Sequence, residues 1–231
     1  MTRAKEPAAA KLPVAVPING QSLLGDLGMT PDSRGIVVFA HGSGSSRLSP
    51  RNQYVARTLE RRNLATLLID LLTPQEEAVD DLTAEYRFDI PMLAGRLVTI
   101  VDWLRRRTDT ASLPIGLFGA STGGGAALIA AADRPREIAA VVSRGGRPDL
   151  ADAALTKVTT PTLLIVGGLD TPVIQMNRDA MRRMHGEVTL EIVPGATHLF
   201  EEPGTLERVA DLAGDWFVAH LQPAVATHAH E

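Results

Sequence analysis

The chain has 231 residues, 45% of them hydrophobic and 22% charged, with a formal net charge of −4 at pH 7. This composition is typical of a folded globular protein, and the mixed charges provide no basic surface for a nucleic acid partner. The absence of cysteine excludes disulfides, thiolate metal sites and a cysteine nucleophile.

The chain is expected to fold as a single domain over residues 1–231, as a monomer or a homodimer, with flexible tails at 1–12 and 223–231. It has no apolar run long enough for a signal peptide or a membrane span, so we predict a cytoplasmic protein without a membrane partner. His228 and His230 could ligate a metal, but a frayed terminus is the simpler interpretation. No metal or cofactor is predicted.

The predicted elements begin with a hairpin and continue as an alternation of strands and helices. Asn19-Gly20 is a strong two-residue turn signal between the apolar stretches PVAVPING and QSLLGDLG. Short runs that are apolar on both faces follow, which is typical of strands in a parallel sheet covered by helices on each side. The predicted central strands are 35–40, 64–72, 114–120, 138–143, 162–168 and 188–193.

Amphipathic segments between these strands predict the helices. The one at 88–108 has apolar residues spaced at three and four, with Pro91 in its first turn. The acidic stretch 73–87 is either a mobile flap or a solvated helical excursion. The predicted helices are 50–62, 88–108, 122–132, about 148–157, 172–185 and 204–221.

The stretch GASTG places Ser121 between Gly119 and Gly123, directly after an apolar strand and before a helix rich in small residues. A sharp strand-to-helix turn requires glycine two positions before and after the serine, which would then stand exposed as a nucleophile. A phosphate-binding loop is disfavoured because no lysine follows the glycines. HGSGSSR likewise has Arg47 where a dinucleotide fingerprint needs glycine.

A serine nucleophile needs a histidine as base and an acid that orients it. Asp170 and His198 each follow a predicted strand, in the order Ser, Asp, His that this fold requires. Asp149 and Asp152 compete as acids, although their position after RGGRP suggests helix caps.

The tetrahedral intermediate also needs two N–H groups directed at its oxyanion. Thr122 follows the nucleophile and supplies one of them. Ser43, in the glycine-rich HGSGS loop after the strand at 35–40, is the candidate for the second. The alternative is that HGSGS is only a flexible turn.

Together, HGSG at 41–44, GASTG at 119–123, GGLD at 167–170 and GATH at 195–198 resemble the α/β-hydrolase superfamily, in particular its dienelactone hydrolase-like branch. The resemblance implies an α/β-hydrolase fold with a mostly parallel sheet of about eight strands, helices on both faces, and cofactor-free serine chemistry. Dienelactone hydrolase itself uses cysteine, so the serine here favours general ester hydrolysis over lactone cleavage.

The short connection after the strand at 138–143 leaves no room for a large lid domain, which predicts an open, shallow cleft. Arginines after two strand ends either bind an anionic group of the substrate or pair with carboxylates such as Asp89 and Asp149. These arginines are Arg47, Arg51, Arg144 and Arg147. His41 shapes the loop and, with Arg47 and Arg144, is a candidate substrate contact.

These observations predict a carboxylesterase-type enzyme that cleaves small esters, or lactones, through an acyl-enzyme. An acyltransferase or perhydrolase would use the same triad with another acceptor. A non-catalytic binding module on the same fold is the alternative from a different class, since fold alone does not fix function.

Overall fold

A computed structural model describes residues 10–222 of the chain. Its strands are β1 (Ala10–Ile18), β2 (Gln21–Met29), β3 (Ile36–Ala40), β4 (Ala65–Ile69), β5 (Ile115–Ala120), β6 (Ile138–Arg144), β7 (Thr162–Gly167) and β8 (Val188–Val193). Its α-helices are α1 (Pro50–Glu60), α2 (Pro74–Thr83), α3 (Ile90–Arg106), α4 (Thr122–Asp133), α5 (Thr171–Met181) and α6 (Thr205–His220).

All eight strands form one sheet in the order β1-β2-β4-β3-β5-β6-β7-β8. The hairpin β1–β2 is antiparallel and joins β4 in antiparallel orientation, whereas β3 to β8 run parallel. Asn19 and Gly20 both have positive φ, as the predicted two-residue hairpin turn requires. The predicted mostly parallel eight-stranded fold is confirmed, and no large lid covers it within residues 10–222.

The apolar strands bury side chains on both faces of the sheet. In β3, Val37 and Phe39 face the layer that contains α1 and α6, whereas Ile36, Val38 and Ala40 face the layer of α3 and α4. Alternate residues of a strand point to opposite faces, so burial on both faces explains why the strand sequences are continuously apolar.

Several predicted elements differ from the structure, among them the strand predicted at 64–72, which ends at Ile69. Residues 10–12, expected in a flexible tail, pair with β2 as the start of β1; residues 1–9 and 223–231, including His228 and His230, lie outside the described residues. The helix predicted at 172–185 ends at Met181. The segment Pro148–Lys157 is 3₁₀ rather than α-helical and is kinked at Asp152, where φ is 37°.

The acidic stretch 73–87 forms α2 and the turn after it, and polar contacts attach it to the domain. Thr73 and Glu76 form a reciprocal capping box, and the Glu76 carboxylate also contacts buried Arg96. Partial burial alone would raise the pKa of Glu76, but the hydrogen bonds from Arg96 and Thr73 outweigh it and lower the pKa. These contacts favour a packed helical excursion over a mobile flap.

The turn from β5 into α4 lies against the end of β3 so closely that only glycine fits. A Cβ on Gly123 would lie 2.2 Å from the Ala40 carbonyl oxygen, and one on Gly119 would lie 2.6 Å from the Gly123 carbonyl oxygen. Neither obstacle is a flexible side chain, so backbone would have to move. The two glycines therefore fix how α4 meets the sheet.

We predict that Gly123→Ala destabilises the protein by about 1–3 kcal/mol, because the methyl group overpacks against β3. Gly95→Ala is the matched control: Gly95 also lies within a helix, but nothing stands within 4 Å of the position that its new methyl group would take. Alanine there should stabilise by about 0.5–1 kcal/mol. Urea unfolding followed by circular dichroism measures both changes, and a Gly123→Ala protein as stable as Gly95→Ala would contradict the packing argument.

Candidate active site

Three polar side chains follow the carboxyl ends of three parallel strands. Ser121 follows β5, Asp170 lies in the turn between β7 and α5, and His198 lies in the loop after β8. Because the strands are parallel, these ends share one edge of the sheet. Ser121 has φ 51° and ψ −120°, a conformation that costs a non-glycine residue on the order of 1–3 kcal/mol and is typical of functional sites.

The structure brings these three side chains into a hydrogen-bonded series. His198 Nε2 lies 3.3 Å from Ser121 Oγ, and His198 Nδ1 lies 2.6 Å from Asp170 Oδ2. The Asp170 side chain is only 13% exposed, whereas that of His198 is 38% exposed. The imidazole thus stands between a shielded carboxylate and a hydroxyl at the edge of the sheet.

Asp170 occupies the N-cap of α5 but makes no side-chain capping bond. Its carboxylate binds the imidazole instead of the helix N–H groups that aspartate usually caps. The competing acids are engaged elsewhere: Asp149 pairs with Arg147, and Asp152 contacts Arg183. Of the three candidates, only Asp170 contacts His198.

The loop that carries His198 packs closely on the end of β7. A Cβ on Gly167 would lie 2.5 Å from the carbonyl oxygens of Ala196 and Thr197, so glycine is required for this approach. The Leu169 N–H donates to the Ala196 carbonyl at 2.9 Å, and the Thr197 N–H donates to the Glu202 carboxylate at 3.1 Å. Sequence reasoning missed this support, although the pair Gly167-Gly168 at the end of β7 was a visible signal for a close backbone contact.

The two predicted oxyanion donors are neighbours, but one is already engaged. The Ser43 N–H donates to Thr122 Oγ1 at 2.9 Å. Thr122 begins α4, so its own N–H has no acceptor within the helix. The contact between the HGSGS loop and the residue after Ser121 was not foreseen from the sequence.

His41, a predicted substrate contact, uses both of its ring nitrogens within the protein. Its Nδ1 lies 3.0 Å from the Gly42 carbonyl, and its Nε2 accepts the Leu71 N–H at 3.0 Å. Burial lowers the pKa of His41 below its ordinary value, which keeps the imidazole neutral for these two bonds. The residue instead fixes the loop that contains Ser43.

Arg47, also a predicted substrate contact, has carboxylate partners within the protein. Its guanidinium contacts the Asp70 carboxylate, and its Nε lies 3.5 Å from Asp26 Oδ2. Asp89, a predicted arginine partner, caps α3 instead. Arg144 differs from Arg47, because its side chain has no hydrogen-bond or carboxylate partner among residues 10–222.

A cleft of about 150 Å³ lies beside the HGSGS loop. It is lined by the loop residues 41–46, by Asp70, Leu72 and Leu93, and by polar residues of the segment 73–87. This volume is smaller than the pockets of about 300–1,000 Å³ that hold drug-sized ligands. Neither Ser121 nor His198 lines this cleft.

No helix within residues 10–222 combines the length and apolar character needed to cross a lipid bilayer. Over the same residues, no group of three or more histidine, aspartate or glutamate side chains is arranged to hold a metal ion.

Comparisons with known proteins identify relatives over most of the chain. A crystallised dienelactone hydrolase from Anabaena variabilis is 56% identical, with a TM-score of 0.92 over 94% of this chain and 100% of its own. A Mycobacterium tuberculosis H37Rv protein named "Putative phosphoribosyl transferase" is 59% identical over 197 residues, which are 85% of this chain. The chain spans only 44% of the length of that curated relative.

More distant structures share the fold. Est1E from Butyrivibrio proteoclasticus is 17% identical, with a TM-score of 0.74 over 90% of this chain and 98% of its own. The family model described as "Dienelactone hydrolase family" matches residues 53–217. This match covers more than half of the sequence and agrees with the fold and with the Anabaena structure. The chain therefore belongs to the dienelactone hydrolase family.

Proposed function

We propose that the protein is a serine hydrolase that cleaves small carboxylic esters through an acyl-enzyme. The observation that carries the proposal is the series Ser121 Oγ, His198 and Asp170, joined at 3.3 Å and 2.6 Å on a strained strand-to-helix turn. A serine hydroxyl is a weak nucleophile at neutral pH unless an oriented base takes its proton. This arrangement supplies the base and the group that orients it.

In the proposed reaction, Ser121 Oγ attacks the ester carbonyl while His198 Nε2 takes the hydroxyl proton. Asp170 accepts the hydrogen bond from Nδ1 and stabilises the imidazolium that forms. The bond from the carbonyl carbon to the alcohol oxygen then breaks, and the departing alcohol takes the proton from His198. Water, activated by the same histidine, attacks the acyl-enzyme and releases the acid and free Ser121.

The N–H groups of Thr122 and Ser43 are the proposed oxyanion donors. In the substrate-free protein the Ser43 N–H is held by the Thr122 hydroxyl, which fixes the glycine-rich loop beside the nucleophile. A developing oxyanion is charged and is therefore a stronger acceptor than a neutral hydroxyl. We infer that the Ser43 N–H exchanges its hydrogen bond to the Thr122 hydroxyl for one to the oxyanion. Thr122 has by then already positioned this donor.

The name of the Mycobacterium tuberculosis relative suggests another activity, phosphoribosyl transfer. More than half of that relative's length lies outside the match, because the chain spans only 44% of it. We propose that the transferase activity implied by the name belongs to the unmatched part. An acyl-transfer reaction by Ser121 remains a variant of our proposal, in which an added alcohol or peroxide replaces water.

Replacing Ser121 by alanine should lower kcat for p-nitrophenyl acetate by about 10⁴- to 10⁶-fold, because the nucleophile is lost while the fold is kept. Ser112→Ala is the matched control, since Ser112 is an exposed serine that precedes β5 at the opposite edge of the sheet. Activity of the Ser121→Ala protein within tenfold of the control would refute the proposal. Product analysis with added methanol or hydrogen peroxide separates hydrolysis from acyl transfer.

Thr122→Val should lower kcat/KM by about 2- to 10-fold, the effect of one net hydrogen bond. The valine removes the acceptor of the Ser43 N–H, so the glycine-rich loop is no longer held in position. Thr122→Ser keeps the hydroxyl and should retain most of the activity. Steady-state kinetics with p-nitrophenyl acetate measures both variants. A valine variant more active than wild type would mean that the hydroxyl competes with the oxyanion and does not position the donor.

A further inference from the structure

Arg47, Arg51, Arg144 and Arg147 lie at or after strand ends on the edge of the sheet that carries Ser121, and three of these four arginines have carboxylate partners. Arg47 pairs with Asp70, Arg147 with Asp149, and Arg51 with Glu201 at 3.2 Å. The Arg144 side chain makes no hydrogen bond and no ion pair within residues 10–222, although it is only 7% exposed. Arg144 is therefore a largely buried cation without a counter-ion in this part of the chain, and its guanidinium nitrogens are not among the fully buried, unpartnered atoms, so they reach solvent.

Arg144 lies directly beside the catalytic groups. It is the last residue of β6, and its carbonyl accepts the Ser121 N–H at 3.2 Å. The next residue, Gly145, lies against His198: a Cβ there would be 3.5 Å from two atoms of the imidazole. The backbone of Arg144 and Gly145 thus contacts both Ser121 and His198.

Strand alternation determines where the Arg144 side chain lies. Ala140 and Val142 of β6 belong to the apolar layer covered by α1 and α6, and Arg144 shares their face because it is two residues further. Its guanidinium lies 5.8 Å from the centre of the Phe200 ring, which follows His198 in the same loop. The side chain therefore lies beside the His198 loop, on the face of the sheet that α1 and α6 cover.

Arg51 supplies a second guanidinium from the first turn of α1. Burial, together with the nearby charge of Arg51, lowers the pKa of Arg144 to about 10, so Arg144 remains charged at neutral pH. The Arg51 side chain is 33% exposed, and its Nε is buried without an acceptor. With Glu201 paired to Arg51, one positive charge is left without a partner among residues 10–222.

A charge that is largely removed from water is expensive and is usually compensated by a counter-ion or hydrogen bonds. The face of Phe200 provides only part of that compensation. We propose that Arg144, together with the more exposed Arg51, binds an anionic group of the substrate while Ser121 attacks the ester. The anionic group is a carboxylate or a phosphate. This inference rests on the proposed function. The planar guanidinium suits both groups, since each can accept two parallel hydrogen bonds.

Two pairs of esters test the site by kcat/KM. Monomethyl glutarate is compared with methyl pentanoate, and 2-acetoxyethyl phosphate with 2-acetoxyethanol, so that each pair differs in charge. Wild type should prefer the charged member of one pair by about 10- to 100-fold, the effect of a charge-assisted hydrogen bond. The responding pair then shows whether the anion is a carboxylate on the acyl side or a phosphate on the alcohol side.

Arg144→Met should abolish that preference, because kcat/KM falls much more for the charged ester than for the neutral one. Arg144→Lys should keep part of the preference, because it keeps the charge but not the planar fork. Arg107→Met is the matched control: Arg107 also lies over an aromatic ring, that of Trp103, but belongs to the opposite edge of the sheet. Equal losses for charged and neutral esters in Arg144→Met, or no preference in wild type, would overturn the inference.

If Arg144→Met does not fold, Arg51→Met provides the second test, and it should reduce the same preference several-fold. Calorimetric binding of glutarate and of inorganic phosphate to the Ser121→Ala protein tests the anion site independently of the proposed esterase activity. Binding of either ion that is lost on adding Arg51→Met supports the anion site even if no esterase activity is found. Absence of binding of both ions contradicts the site even if the esterase activity is present.

Discussion

The contact between the β5–α4 turn and the end of β3 constrains the geometry at the edge of the sheet that carries Ser121. Gly123 can lie against the Ala40 carbonyl only because it has no side chain, and this contact lets the chain reverse within a few residues. Ser121 is held at the tip of that reversal with positive φ. Its N–H and carbonyl bond to Arg144 and Arg147 of the neighbouring segment, so the surrounding backbone holds the strained conformation in place.

A fixed serine is useful only if its base is equally fixed, and a second close backbone contact provides this. Gly167 lets the loop after β8 pack on the end of β7, where main-chain bonds hold it. His198 is then directed to Ser121 on one side and to Asp170 on the other. Two glycine contacts in neighbouring parts of one sheet thus define the geometry on which the proposed chemistry depends.

The sequence was most informative where a single local rule dominates. Continuous apolar runs predicted the parallel strands, Asn19-Gly20 predicted the hairpin, and GASTG predicted the sharp turn at Ser121. The sequence was least informative where the role of a side chain depends on which residue it contacts in the folded protein. Nothing in HGSGSSR showed that His41 would use both ring nitrogens within the protein or that Arg47 would pair with Asp70. These partners are distant in sequence and become neighbours only when the sheet forms.

The central claim is that Ser121 becomes acylated and that His198 drives both halves of the reaction. Rapid acid quench of the protein mixed with p-nitrophenyl acetate, followed by mass spectrometry of the proteolytic peptides, tests this claim most directly. The account predicts one acetyl group on the peptide that contains Ser121, absent in Ser121→Ala. It also predicts that, with His198→Ala, any acetyl group that forms is lost slowly. Acetylation of another residue at the wild-type rate, with Ser121 unmodified, would contradict the account.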